Sequence, residues 1–205
     1  MKTIVFGGSF NPLHNGHVAV ADCVQECFQF DEFLWLPSFH AVHKLAVTPS
    51  PASFRLKCLR TFLQSRPSNE RVCDYEVSLG RPSYTVDTLD FLVNENSERE
   101  IYFVMGADSL SHLDTWHRLA DLFDLCTFLL VPRSGWGQTS LIDYRNSLTV
   151  DMRKMFRAQF LEMDCVDVDS TTLRLNLAES LSSPIAGVPK AVEECLELMN
   201  PYSQE

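Results

Sequence analysis

Two histidines three residues apart, His14 and His17, close a glycine-rich stretch, Gly7-Gly8-Ser9-Phe10-Asn11-Pro12-Leu13, that follows the apolar run Thr3-Ile4-Val5-Phe6. A strand that breaks at paired glycines exposes backbone N–H groups. A helix starting at Gly16 adds its own unpaired N–H groups and the positive end of its dipole. With two imidazoles beside them, these donors suit a polyphosphate. Gly7 and Gly8 permit close approach of a ligand and positive φ, while Pro12 restricts itself and Asn11 to a non-helical turn. The competing reading of the histidines is a metal site, since His is a common zinc ligand. Histidines stand at 14, 17, 40, 43, 112 and 117 and cysteines at 23, 27, 58, 73, 126, 165 and 195, with no Cys-x-x-Cys pair. That spacing is poor for structural zinc. Cys23 and Cys27, four apart on one helix face, read as core packing.

A second constellation lies near the other end of the chain, Asp169-Ser170-Thr171-Thr172-Leu173-Arg174. Hydroxyls opening a helix act as N-caps, but Arg174 follows on the same face one turn later. Hydroxyls, helix N–H groups and a guanidinium together form an anion clamp. Between the two ends, Tyr84-Thr85 opens a further helix, with capping as the alternative use of Thr85. Asp108 follows a strand and Gly106, where a carboxylate can accept from ribose hydroxyls or simply cap a turn. Trp116 by itself reads as a half-buried core residue.

Alternating strands and helices must position these residues. Short apolar runs predict strands at Thr3–Phe6, Glu32–Leu36, Val72–Glu76, Glu100–Met105, Cys126–Val131 and Cys165–Val168. Helical periodicity predicts Gly16–Phe28, Ala52–Gln64, Thr85–Asn94, Trp116–Leu122, Thr171–Ser180 and Pro189–Met199. Strands apolar on both faces imply a mainly parallel sheet covered by helices on each side. The expected fold is a single-domain, Rossmann-like, doubly wound α/β unit over residues 1–205, with a C-terminal helical segment at about 170–200. In such sheets ligands sit beyond the carboxyl ends of the strands, where Gly7-Gly8-Ser9, Pro37–Lys44, Gly106–Asp108 and Pro132-Arg133 fall.

The 205 residues are 45% hydrophobic and 21% charged, enough for a sizeable core. The formal net charge of −10 argues against a non-specific nucleic-acid binder; an anionic small substrate needs a local positive site working against that field. Apolar runs are too short for a membrane span, and the start lacks a signal peptide's apolar region. An odd thiol count argues against a disulfide framework, so a reducing cytoplasm is expected. Oligomeric state is open, leaving room for a homo-oligomer.

The string from Gly7 to His17 resembles the first signature of the nucleotidylyltransferase superfamily, and Asp169–Arg174 resembles its second nucleotide motif. Pro82-Ser83-Tyr84-Thr85-Val86-Asp87-Thr88-Leu89, Val104-Met105-Gly106-Ala107-Asp108-Ser109-Leu110 and Trp116 are similar to motifs of the bacterial nicotinate mononucleotide adenylyltransferases. Val188-Pro189, Val192 and Tyr202 are similar to that family's final helix and tail.

The resemblance implies adenylyl transfer from ATP to nicotinate mononucleotide, giving nicotinate adenine dinucleotide and pyrophosphate in NAD biosynthesis. It implies Mg²⁺ held by phosphate oxygens and water rather than by side chains. His14, His17 and Arg174 would be catalytic. Gly7, Gly8, Ser9, Phe10, Gly16, Gly106, Asp108, Ser170 and Thr171 would join them in holding ATP. Ser38, His43, Lys44, Tyr84, Thr85, Trp116 and Arg133 would hold the acceptor, with Trp116 stacking on the pyridinium ring and Thr85 receiving its carboxylate at a helix N-terminus.

Three departures bear on substrate choice. Ala41-Val42 stands where the family has Pro-Pro, Asp169 where it has Ser, and Ser134 after Arg133 where Pro-Gly is usual. Asp169 could favour the helix dipole or help hold metal. The alternatives are nicotinamide mononucleotide or a dual-specificity acceptor site, another nucleotidylyltransferase such as one acting on phosphopantetheine, and a non-catalytic nucleotide-binding regulator.

Overall fold

The computed structural model describes residues 1–40, 49–164, 170–179 and 184–202. Six strands form one wholly parallel sheet: β1 (Lys2–Gly8), β2 (Glu32–Pro37), β3 (Glu70–Val72), β4 (Glu100–Gly106), β5 (Cys126–Val131) and β6 (Ala158–Phe160). Their spatial order is β3-β2-β1-β4-β5-β6, so the winding reverses between β1 and β4. Ligand crevices form at such a reversal. The helices are α1 (Asn15–Cys27), α2 (Ala52–Leu63), α3 (Tyr75–Ser78), α4 (Thr85–Glu95), α5 (Leu119–Leu125), α6 (Gln138–Ser147), α7 (Val150–Met155), α8 (Ser170–Glu179) and α9 (Lys190–Leu198). A 3-10 helix spans Ala107–Thr115.

Side chains of a strand alternate between faces, and here they enter two cores. Ile4 and Phe6 pack with α1, α2 and α9 through Val24, Leu59 and Val192. Val5, one residue along, joins Phe103 and Met105 under α4 and α5, where Val86, Leu89 and Phe123 lie. All six residues of β2 are buried, as a strand covered on both faces requires. Among the described residues no helix is long and apolar enough to cross a membrane.

Several expected elements shift. The third strand is Glu70–Val72 rather than Val72–Glu76; Phe33 pairs with Glu70 in register, and the chain then turns into α3. Glu70 can be buried because Arg66 and Trp35 Nε1 both donate to its carboxylate. That solution is invisible to a hydropathy pattern. The strand expected at Cys165–Val168 lies outside the described residues, and Ala158–Phe160 pairs with β5 instead. Trp116 does not start a helix. It ends the 3-10 helix, Arg118 takes a left-handed conformation (φ 52°), and α5 begins at Leu119.

The short helices α3, α6 and α7 and the 3-10 helix were not anticipated. Within α6 only Leu141 is buried and within α7 nothing is, so neither shows the apolar stripe that marks a helix in sequence. Cys27, expected to pack with Cys23, is exposed at the end of α1 whereas Cys23 is buried.

Candidate active site

Parallel pairing brings four strand ends together at one edge. Gly8 lies opposite Pro37 across β1 and β2, and Gly106 lies opposite Val131 across β4 and β5. Gly7 and Gly8 finish β1 as ordinary strand residues, and the positive φ expected of them falls on Phe10 (44°) instead. The glycines matter through their missing Cβ. One on Gly7 would sit 3.2 Å from the Phe103 ring, and one on Gly8 would sit 3.1 Å from the Phe10 ring. Phe10 folds back over the strand end, buried, and presents its ring to His17 at 4.9 Å.

His14 precedes the first turn of α1 and is buried; His17 occupies that turn. Their rings lie 3.7 Å apart at 33°. The backbone N–H of His14 donates to His17 Nδ1 at 3.2 Å. In the neutral imidazole an accepting Nδ1 places the proton on Nε2.

The C-terminal clamp reaches the same turn. Arg174 Nη1 donates to the backbone oxygen of Asn11 at 3.0 Å, and its Nη2 donates to Thr171 Oγ1 at 3.1 Å. Thus the two phosphate-binding candidates, 163 residues apart, are joined at Asn11. The Asn11 side chain is a second junction: its Oδ1 accepts from Ser50 N, Ser50 Oγ and Tyr202 OH at 3.1, 2.7 and 2.8 Å. Ser170 and Thr171 open α8 beside this junction, and Gly16 is buried in the first turn of α1.

Arg55 of α2 is one residue that motif reading missed. Only 1% exposed, it has no carboxylate partner among the described residues; it donates to the carbonyls of Ser9, Ser38, Phe39 and Ser50 at 2.7–3.1 Å. Burial pulls its pKa below the usual guanidinium value, yet four acceptors satisfy it. It ties the loops after β1 and β2, as does the Ser38 N–H to Gly8 carbonyl bond at 2.9 Å. Nothing local marks it, because its partners come from three separate segments.

Beside the turn lies a cavity of about 270 Å³ between the ends of β1, β2 and β4. Gly7, Gly8, Ser9 and Gly106 form its strand-end wall, and Ser38, Tyr84, Thr85 and Trp116 complete it from the loops. Ser38 Oγ is buried without a partner among the described residues. Thr85 is the first residue of α4, where N–H groups have no intrahelical acceptor. The half-buried Trp116 ring meets Phe103 edge-on at 6.2 Å, and Tyr84 stacks on His117 at 4.3 Å. His112, His117 and Glu76 also line the cavity, none of them picked out by sequence. The first two depend on the unforeseen 3-10 geometry, and Glu76 sits where a strand was expected.

A Cβ on Gly106 would fall 2.3 Å from Asp108 Oδ1 and 3.3 Å from Arg133 Nε. Arg133, expected to touch the acceptor, is therefore grouped with Gly106 and Asp108 and does not line the cavity. His43, Lys44 and Asp169 lie outside the described residues. Among the described residues no three His, Cys, Asp or Glu side chains gather as a metal site.

The chain is similar in sequence and in fold to known proteins. A family profile described as cytidylyltransferase-like covers residues 5–176. A protein of Clostridium novyi named probable nicotinate-nucleotide adenylyltransferase is 30% identical over 201 residues, covering 98% of each chain. One of the same name from Dehalococcoides mccartyi is 32% identical over 178 residues, 86% of this chain and 85% of its own. Among solved structures, Plasmodium falciparum nicotinic acid mononucleotide adenylyltransferase complexed with NaAD superposes with a TM-score of 0.76 at 15% identity, covering 98% of this chain and 97% of that one. Its complex with APC gives 0.74 at the same identity, covering 98% and 96%. The shared fold, the sequence match across the turn and the clamp, and relatives of one name matched over most of their length lead to one assignment: the chain belongs to the cytidylyltransferase-like family, in its nicotinate-nucleotide adenylyltransferase branch.

Proposed function

We propose that the chain transfers the adenylyl group of Mg-ATP to nicotinate mononucleotide, forming nicotinate adenine dinucleotide and releasing pyrophosphate. The observation that carries this reading is the junction at Asn11, where the His14/His17 turn and Arg174 meet next to a cavity lined by Thr85 and Trp116. The mononucleotide's 5′-phosphate oxygen attacks the α-phosphorus of ATP in line; a new P–O bond forms as the α–β bridging bond breaks. That phosphate is largely ionised near neutral pH, so no general base is required. Catalysis is positioning and charge stabilisation.

In this scheme His17 and His14 stabilise charge on the α-phosphate and bridging oxygen, and the backbone from Gly8 to Phe10 holds phosphate oxygens. Ser170, Thr171 and Arg174 take the departing pyrophosphate. Asp108 accepts from the ATP ribose beside Arg133. Thr85 and Trp116 receive the nicotinate carboxylate and ring, and His43 and Lys44 bring positive charge to the mononucleotide phosphate. Mg²⁺ would come as part of the Mg-ATP substrate and would neutralise phosphate charge, with no side chain of this site assigned to hold it.

The reading is tested by incubating the protein with Mg-ATP and nicotinate, nicotinamide or no mononucleotide and measuring pyrophosphate. Release dependent on the nicotinate form supports it. Equal or greater kcat/KM with the amide reassigns the acceptor, and no release with any acceptor leaves a nucleotide-binding module.

A further inference from the structure

Glu76 has no part in the scheme above, yet it is the only carboxyl-bearing residue among those described that line the cavity. It is 7% exposed. Thr88 Oγ1, fully buried on the first turns of α4, donates to its Oε1 at 2.9 Å. Glu76 therefore braces the helix whose first residue, Thr85, opens into the same cavity. Resting on the acceptor assignment, we propose that Glu76 is a positioning residue that couples acceptor choice to a proton: a carboxylate-bearing acceptor is taken with Glu76 neutral, whereas an amide acceptor is indifferent to its charge.

Electrostatics supply the reason. Two carboxylates sharing one cavity repel, and that repulsion raises the cost of keeping both ionised. Burial pushes the Glu76 carboxyl above its ordinary value, and the hydroxyls of Thr88 and Ser83 pull it only part of the way back. A group so poised takes up a proton readily when a second anion arrives. The titratable neighbours are Cys73 and Asp74 leading into α3, Glu95 at the end of α4, and Tyr84, His112 and His117 around the cavity. A charge-neutral replacement of Glu76 separates its contribution from theirs.

The experiment measures kcat/KM for nicotinate and nicotinamide mononucleotides from pH 5.5 to 9 in the wild-type protein, Glu76→Gln and Thr88→Val. The two acceptors share ribose and phosphate, so their ratio isolates the pyridine substituent. In the wild type the acid-to-amide ratio should fall about tenfold per pH unit at steepest as Glu76 ionises; in Glu76→Gln that fall should vanish. Thr88→Val, which removes a bond favouring the ionised form, should move the fall to higher pH. Identical pH profiles in wild type and Glu76→Gln overturn the proposal, as does an equal loss for both acceptors in Glu76→Gln, which marks a purely structural brace. Were Glu76→Gln not to fold, an unmoved profile in Thr88→Val overturns it. Wild-type protein inactive with both acceptors refutes instead the functional reading on which this rests.

Discussion

The Nδ1 of His17 is engaged by the His14 backbone, which fixes the ring in the first turn of α1. Replacing His17 with Ala should lower turnover by about 10²-fold or more, the usual scale for one lost transition-state donor. Pyrophosphate release under saturating substrates checks this; near wild-type turnover would refute the assignment. Gly106 makes a different demand. A methyl group there would displace Asp108, whose Oδ1 lies 2.3 Å from the required position. Asp108 is exposed, so Gly106→Ala should change stability by less than about 1 kcal/mol while raising KM for ATP several-fold. A thermal melt beside an ATP titration separates the two effects.

Parallel pairing brings the strand ends together, and a few polar side chains tie the loops that leave them. Arg55 on α2 holds the exits of β1 and β2 through four carbonyls. Arg55→Met keeps much of the apolar stem but leaves buried acceptors unpaired, each worth about 1–3 kcal/mol. We expect a loss of about 3 kcal/mol or more in denaturant-midpoint measurements, together with weaker binding of both substrates. The expected strand-helix order held for β1, α1, β2, α2, α4, β4 and β5 because apolar periodicity is a local property. It failed at β3, where a buried Glu70 depends on Arg66 and Trp35, and at α6 and α7, which bury almost nothing.

On the scale of the whole molecule, the two ends of the chain close the site together. Tyr202 OH reaches Asn11 Oδ1 across 191 residues of sequence, and it also contacts Ser50 Oγ at 3.1 Å. Tyr202→Phe removes one buried hydroxyl while preserving the ring, so stability should fall by about 0.5–1.5 kcal/mol. Because Asn11 also carries Arg174, turnover should fall more than that stability loss explains. Comparing kcat at a temperature where both proteins are fully folded tests this; unchanged kcat would show that the tail only stabilises.

From the sequence alone came the chemistry of the short motifs: the glycine-rich exit of β1, the histidines in the first turn of α1, the hydroxyls and Arg174 on α8, and Thr85 opening α4. Those features rest on backbone conformation and helical spacing, which a few adjacent residues set. Tertiary structure alone decided that Phe10, not a glycine, carries the positive φ, that Arg133 joins Asp108, and that Arg55, Asn11 and Glu76 hold the site's framework. Each of those depends on burial beside partners from distant segments, and the free energy of a buried polar group is fixed by partners that no local pattern encodes.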